Sequence, residues 1–315
     1  MNNPKVSICV PVYNVERLID RCLNSLVNQT LKDIEIIVVN DCSPDNSMKI
    51  VEKYANKDSR IKIVNHEFNR GLMRARQTAY KIAHGDYICF CDSDDAMEFD
   101  AIETMYNLAI ESDACIVSAD ATYIRVDGTY VQYMGNQSLK YGNDAESVYK
   151  SLLLNEYAHN LWAKLFKREI LQDFDYETFD DFTNGEDGYL FYQILRNTKK
   201  VIHLDKSVYK YYQNKESSTQ KKLTSKGIHS IFKLLKLRSD ISNRYPNIKD
   251  LFGMFITRVI IGKYCEGYAK TFNLNNLIEE YSLQEYVSNK FMLEKFGFKG
   301  FVSLWIKKNI MSIMR

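Results

Sequence analysis

The chain has 315 residues, enough for one large domain or two smaller ones with ample core. Hydrophobic residues make up 45% and charged residues 26%, and a net charge of +2 excludes the broad basic footprint of a nucleic-acid-binding protein. Seven cysteines, an odd number with no Cys-x-x-Cys pair, read as reduced thiols of a cytoplasmic protein. No signal-peptide pattern opens the chain and no stretch reaches about 18 uninterrupted apolar residues, so no spanning helix is expected.

In chain order, residues 6–10 (VSICV) read as a first strand ended by Pro11. Leu18, Ile19, Cys22, Leu23, Leu26 and Val27 give residues 16–29 a helical stripe. Residues 34–39 form a second buried strand, ending in Asn40 and Asp41. Ser43 then reads as a helix cap with Pro44 in the first turn. Residues 61–64 give a shorter strand, Asn69-Arg70-Gly71 a turn, and residues 72–83 a helix. A strand at 87–91, a helix near 99–111 and a strand at 115–118 follow. This alternation predicts an α/β fold with a doubly wound, mostly parallel sheet.

The rhythm then changes. Asp127-Gly128, between residues 123–126 and 129–133, is a hairpin signal. Asn143 or Asp144 caps a helix running to about residue 155, and residues 163–171 predict another helix. Gly185-Glu186-Asp187 leads into an apolar-periodic stretch at 189–195, and residues 201–204 and 207–212 look extended. From Thr224 onward the pattern is helical, with Pro246 separating two helices. The expected division is 1–120, 121–220 and a helical C-terminal extension over 221–315.

Residues 86–95 (DYICFCDSDD) carry the most chemistry. An apolar strand ends in three carboxylates within four residues, Asp92, Asp94 and Asp95. Open α/β sheets bind ligands at the carboxyl ends of their strands. Carboxylates this crowded repel one another, and a hard divalent cation with oxygen ligands would neutralise them. The plainer reading is a polar turn in which Ser93 or Asp94 caps the next helix.

Four motifs, in order, favour the first reading: residues 6–14 (VSICVPVYN), 35–47 (EIIVVNDCSPDNS), 69–77 (NRGLMRARQ) and 85–95. Together they resemble the successive signatures of family-2 glycosyltransferases with the GT-A fold. The resemblance covers roughly residues 4–220. It implies transfer of a sugar from a nucleotide-activated donor to an acceptor, with inversion at the anomeric carbon.

The resemblance also implies roles. Pro11, Val12, Tyr13 and Ser93 fall in the donor-nucleotide site, where the Tyr13 ring would flank the base. Asp41 would accept the ring N–H of uracil, although by itself it is an ordinary loop acid. Arg76 would lie near the donor diphosphate, although an isolated helix arginine reads as a surface ion pair. Asp92 would face the ribose and uracil, and Asp94 would hold Mn2+ or Mg2+ between the two phosphates. Asp95 either orients Asp94 or contacts sugar hydroxyls. Glu186 and Asp187 match the family's acidic pair, which makes Asp187 the candidate general base and Glu186 its alternative. Without the motifs, both are first-turn acids complementing a helix dipole. Trp162 is placed beside the acceptor. Gln77 stands where the family often has Asn. Gln213 stands where it often has Arg or His, which leaves the third metal ligand open. His159 and His203 read as structural.

The expected function is an inverting, metal-dependent hexosyl- or N-acetylhexosaminyltransferase. It would move sugar from a UDP-sugar donor to a glycan or lipid-linked acceptor in cell-surface polysaccharide synthesis. The alternative is a nucleotide-sugar-binding protein of the same fold without turnover. A nucleotidyltransferase would need a glycine-rich loop, and Pro11-Val12-Tyr13-Asn14 has no glycine. Near the C-terminus, Phe296, Phe298, Phe301, Trp305 and Ile306 interleave with Lys295, Lys299, Lys307 and Lys308, and Met314 follows. This suits an interfacial helix on anionic lipid at the inner face of the plasma membrane, or a helix docked on its own domain or on a second copy.

Overall fold

The computed structural model describes residues 3–133, 139–171, 182, 185–213, 223–266 and 268–313. The chain divides into two compact units. The first takes residues 1–180 and 193–222, and the second takes 181–192 and 223–315.

The first unit opens with β1 (Val6–Val12), α1 (Ile19–Val27), β2 (Ile34–Asn40), α2 (Ser47–Ala55), β3 (Ile61–Asn65), α3 (Leu72–Ile82) and β4 (Tyr87–Phe90). These strands pair in parallel in the order β3-β2-β1-β4, with Ile8 opposite both Ile36 and Cys89. Strands β1, β2 and β4 are buried on both faces, which is why their sequences run apolar without alternation. Helix α1 turns Ile19, Cys22, Leu23 and Leu26 into the core.

Next come β5 (Ala96–Met97), α4 (Ala101–Ser112), β6 (Ile116–Ile124), β7 (Tyr130–Tyr133), α5 (Ala145–Leu153), β8 (Lys164–Lys167) and β9 (Val201–Tyr212); α6 (Glu186–Leu195) precedes β9 in the chain and is assigned to the second unit as far as Tyr192. Among the described residues the sheet runs β3-β2-β1-β4-β8-β6-β9-β5, with β7 beside β6. This half is mixed. Strand β8 is antiparallel to β4 and β6, and β5 is antiparallel to β9, while β6 and β9 are parallel.

Several local expectations are corrected. The helix expected over 163–171 is strand β8 followed by a 3-10 turn, Arg168–Leu171. Its apolar spacing fits a helix, but pairing with strands on both sides overrides propensity. Ser43 does not cap α2, nor does Pro44 lie in its first turn. Asp45 accepts from Ser43 Oγ and from Ser47 N and Oγ, and this knot delays the helix to Ser47. Neither Ser93 nor Asp94 caps a helix, because β5 intervenes and α4 begins after Asp100. Residues 201–204 and 207–212 are one strand with a bulge opposite Asp120.

The second unit holds α7 (Ser225–Ser242), α8 (Lys249–Cys265), α9 (Tyr268–Thr271), α10 (Leu274–Glu280) and α11 (Asn289–Ile313). Thr224 caps α7 by accepting from Gly227 N, and Pro246 opens a 3-10 turn before α8. Ile228, Phe232, Leu235, Ile256, Ile260 and Phe291 build its core, with Phe296 packed against it. Helix α11 breaks at Gly297 (φ 65°, ψ 175°). Trp305 is 43% exposed. Met314 and the side chains of Phe298 and Ile306 lie outside the described residues. Among the described residues, no helix is long and apolar enough to cross a membrane.

Candidate active site

Strands β1, β2 and β4 are neighbours, so their carboxyl ends lie side by side. Val12 pairs with Asn40, and the Cys91 N–H continues the ladder to Cys9 O at 3.0 Å. This edge brings together Pro11, Val12, Asp41 and the turn from Asp92 to Asp95. Pro11 and Val12 are buried, and Tyr13 beside them is 47% exposed, an open ring at the rim.

The acidic turn closes through the Asp95 N–H to Asp92 O at 3.1 Å. Asp92 is half-buried, and its Oδ1 accepts from Arg76 Nη2 at 2.7 Å. Arg76 is buried in α3 and paired to this acid, so it is not the solvated surface cation that an isolated helix arginine suggests. Ser93 is buried in the turn. Burial pushes the Asp94 carboxyl up to about 6, with repulsion from Asp92 adding to it, while the Arg21 charge works the other way. An Arg21 N–H donates to the Asp94 carbonyl oxygen, and the guanidinium lies over the Tyr212 ring, 3.3 Å from its centroid. Asp95 is more deeply buried. Burial first, then Asp94 and Asp92, raise its pKa well above the usual carboxylate range.

Asp41 is buried and held from three sides. Its Oδ1 accepts from Arg70 N and His66 Nδ1 at 2.8 and 2.7 Å, and its Oδ2 accepts from Gly71 N at 2.8 Å. His66 Nε2 meets Thr78 Oγ1 at 2.8 Å. A carboxylate only accepts, so the His66 proton sits on Nδ1. Of the four lone-pair positions on Asp41, three are filled and one on Oδ2 is left.

Glu186 and Asp187 stand in the first turn of α6, each half-buried. They belong to the second unit. Most of the acidic stretch before them, and residues 214–219, lie outside the described residues. Trp162 stacks on Tyr209 with centroids 5.1 Å apart and packs at a 32° tilt against Tyr211 at 5.5 Å, and Tyr211 stacks on Tyr123. His203 sits 3.2 Å from Asp120 Oδ1 and 3.2 Å from Ser118 Oγ, remote in sequence from every motif.

Arg21, His66 and Tyr209 were not visible as site residues in the sequence. Only Tyr209 left a signal, the alternation of tyrosines at 209 and 211 that puts both on one strand face.

The donor set fits a hard divalent cation. Asp94 offers carboxylate oxygens whose charge the protein leaves poorly compensated, beside the half-exposed Asp92. Among the described residues, no three Asp, Glu, His or Cys groups cluster as a complete protein cage. One or two carboxylates completed by substrate phosphates is the usual Mg2+ arrangement.

Residues 7–174 match the model of glycosyl transferase family 2. The glycosyltransferase GlyA of Streptococcus pneumoniae is 34% identical over 234 residues, covering 72% of this chain and 33% of that protein. The uncharacterised glycosyltransferase EpsJ of Bacillus subtilis is 36% identical over 219 residues, covering 69% of this chain and 63% of that one. The chain thus spans a third of the first relative and under two thirds of the second. Among solved structures, S. aureus TarS in complex with UDP-GlcNAc superposes with a TM-score of 0.72 at 20% identity, covering 98% of this chain and 89% of that one. The likeness identifies the fold as GT-A.

Proposed function

The chain belongs to glycosyl transferase family 2, and on that premise we propose that it transfers a sugar, with inversion, from a UDP-sugar to a glycan or lipid-linked acceptor. The observation that carries this is the acidic turn at the carboxyl edge, where the charge of Asp94 is poorly compensated. Asp94, with Asp92 beside it, would hold Mn2+ or Mg2+. When bound, the ion supplies Lewis-acid stabilisation of the charge that develops on the departing nucleoside diphosphate.

Asp41 supports uridine over guanosine. One remaining lone pair suits the single ring N–H of uracil or thymine. A guanine edge presents two adjacent donors, which ask for both oxygens of a carboxylate. The UDP-GlcNAc bound to TarS supports the same choice. Tyr13, exposed at the rim, would cover one face of the base. Arg76 would act on the donor through Asp92, which it holds.

An acceptor hydroxyl must lose its proton as it attacks the anomeric carbon. Inversion requires attack from the face opposite the leaving diphosphate, so the base cannot come from the acidic turn. Asp187 takes that role in this reading, with Glu186 as the alternative. A surface polysaccharide as product, and work at the inner face of the plasma membrane, belong to the same proposal.

The test is UDP release from a panel of UDP-sugars with manganese. Slow hydrolysis of one sugar names the donor, whereas binding without release would support the non-catalytic alternative. Asp187→Asn keeps shape and removes basicity, so turnover falls about 10²–10⁴-fold while UDP-sugar affinity holds. Retention of most turnover moves the base to Glu186.

A further inference from the structure

Asp95 has surroundings unlike those of Asp94. It is 1% exposed, and both of its oxygens are taken by β9. The Tyr212 N–H donates to Oδ1 at 2.8 Å, and the Tyr209 hydroxyl donates to Oδ2 at 2.9 Å. The same Tyr209 oxygen accepts the Asp92 N–H at 3.1 Å. One phenol therefore ties the first residue of the acidic turn to the last.

The phenol is well placed to do so. Tyr209 is fully buried. Its backbone is registered against Met97 of β5 on one side and Ala121 of β6 on the other. Its ring lies at 15° to the Trp162 plane, 5.1 Å away. Nothing in that packing requires a hydroxyl, since a phenylalanine would fill the same space. The hydroxyl satisfies two groups that no other contact of the turn reaches, the Asp92 N–H and Asp95 Oδ2.

We propose that Tyr209 is a positioning residue of the transfer site. It holds the acidic turn in the form that presents Asp94, with Asp95 as its buried anchor and not as a ligand or a sugar contact. The inference rests on the metal-dependent UDP reading above. It decides between the two roles that the sequence left open for Asp95.

The experiment titrates manganese in the presence of UDP by calorimetry, using the full chain. The same variants are then followed for UDP-sugar hydrolysis as a function of manganese. Tyr209→Phe is expected to raise the manganese half-saturation about tenfold or more, because it leaves the buried Asp92 N–H and Asp95 Oδ2 without their hydroxyl partner. Its rate at saturating manganese should return close to wild type. A loss of packing alone would instead lower the active fraction at every manganese concentration. Asp95→Asn can still accept from Tyr212 N and meet the phenol, so its loss should stay near threefold, far below that of Asp94→Asn. An unchanged half-saturation in Tyr209→Phe overturns the proposal. So does an Asp95→Asn loss as severe as that of Asp94→Asn, an outcome readable even if Tyr209→Phe does not fold. If the wild-type chain binds no manganese with UDP, the functional reading fails and this inference falls with it.

Discussion

The two ends of the parallel strands treat a buried carboxylate in opposite ways. At the amino end, Glu35 of β2 accepts from Ser7 Oγ at 2.5 Å, from the His84 N–H at 2.6 Å and from Lys62 Nζ at 2.6 Å. Burial pushes its pKa up, but these three donors outweigh it and hold the carboxyl below its usual range. At the carboxyl end, burial acts on Asp94 with little to oppose it, and the pKa rises to about 6. What differs is counter-charge, which the protein supplies at one end and withholds at the other. An acid that raises the free energy of the ligand-free fold is best explained by a ligand that compensates it.

Substitution should separate the two ends most sharply at Asp94. Asp94→Asn is expected to reduce transfer by about 10³-fold, the upper range for removal of a key electrostatic group. It should also stabilise the ligand-free chain by roughly 1–2 kcal/mol, the pKa displacement discounted for partial exposure. Hydrolysis assays and calorimetric melting in chelator check both. A fall in melting temperature would place Asp94 with Glu35 and end the contrast.

The sequence made one end far more legible than the other. Strands β1, β2 and β4 were readable because burial on both faces writes continuous apolar runs. The acids at their ends were readable because a motif marks them. Strand β8 was not, because a four-residue strand bounded by lysines carries no period. Its buried Lys164 is met by Asn160, whose Oδ1 lies 3.1 Å from Nζ, and by the Tyr157 ring. The bond from Tyr209 to Asp95 spans 114 residues, and no local pattern encodes a partner that far away. Likewise the motif marked Asp41, but only the folded loop shows that three donors already occupy it.

The amino end should yield stability effects alone. Gly85 approaches β1 so closely that a Cβ there would lie 2.5 Å from Ser7 N and 2.7 Å from Ser7 Oγ, the oxygen that accepts the Gly85 N–H. Gly85→Ala is therefore expected to cost about 2–3 kcal/mol by overpacking against backbone. Turnover per folded molecule should be retained. Denaturant melts measure the first and active-site-normalised rates the second. Glu35→Gln is milder, because the amide oxygen still accepts from Ser7 and His84. It loses the Lys62 ion pair, whose ammonium is half exposed, for about 1–2 kcal/mol. A loss nearer ~4 kcal/mol, beyond that range, would mean that the Gln amide cannot adopt the accepting orientation.

The smallest effect is also the most specific, the dependence of these differences on pH. The folded pKa of Glu35 lies below its unfolded value near 4.5. Its stabilisation is therefore complete above that value and is lost as pH falls through the folded pKa. The stability gap between wild type and Glu35→Gln should stay constant from neutral pH to about 5 and then close. Asp94 carries the opposite sign. Its folded pKa is raised to about 6 from 3.8, so ionisation destabilises the ligand-free fold. That penalty is full above the folded value and absent below the unfolded one. The gap between wild type and Asp94→Asn should thus begin to shrink near pH ~7 and go on shrinking towards about 4, so that its change starts well before the Glu35 gap begins to close near ~5. Melting the three proteins across this range in chelator tests both windows. Two gaps that close together would mean that one shared acid transition, and not two separately tuned carboxylates, governs the fold.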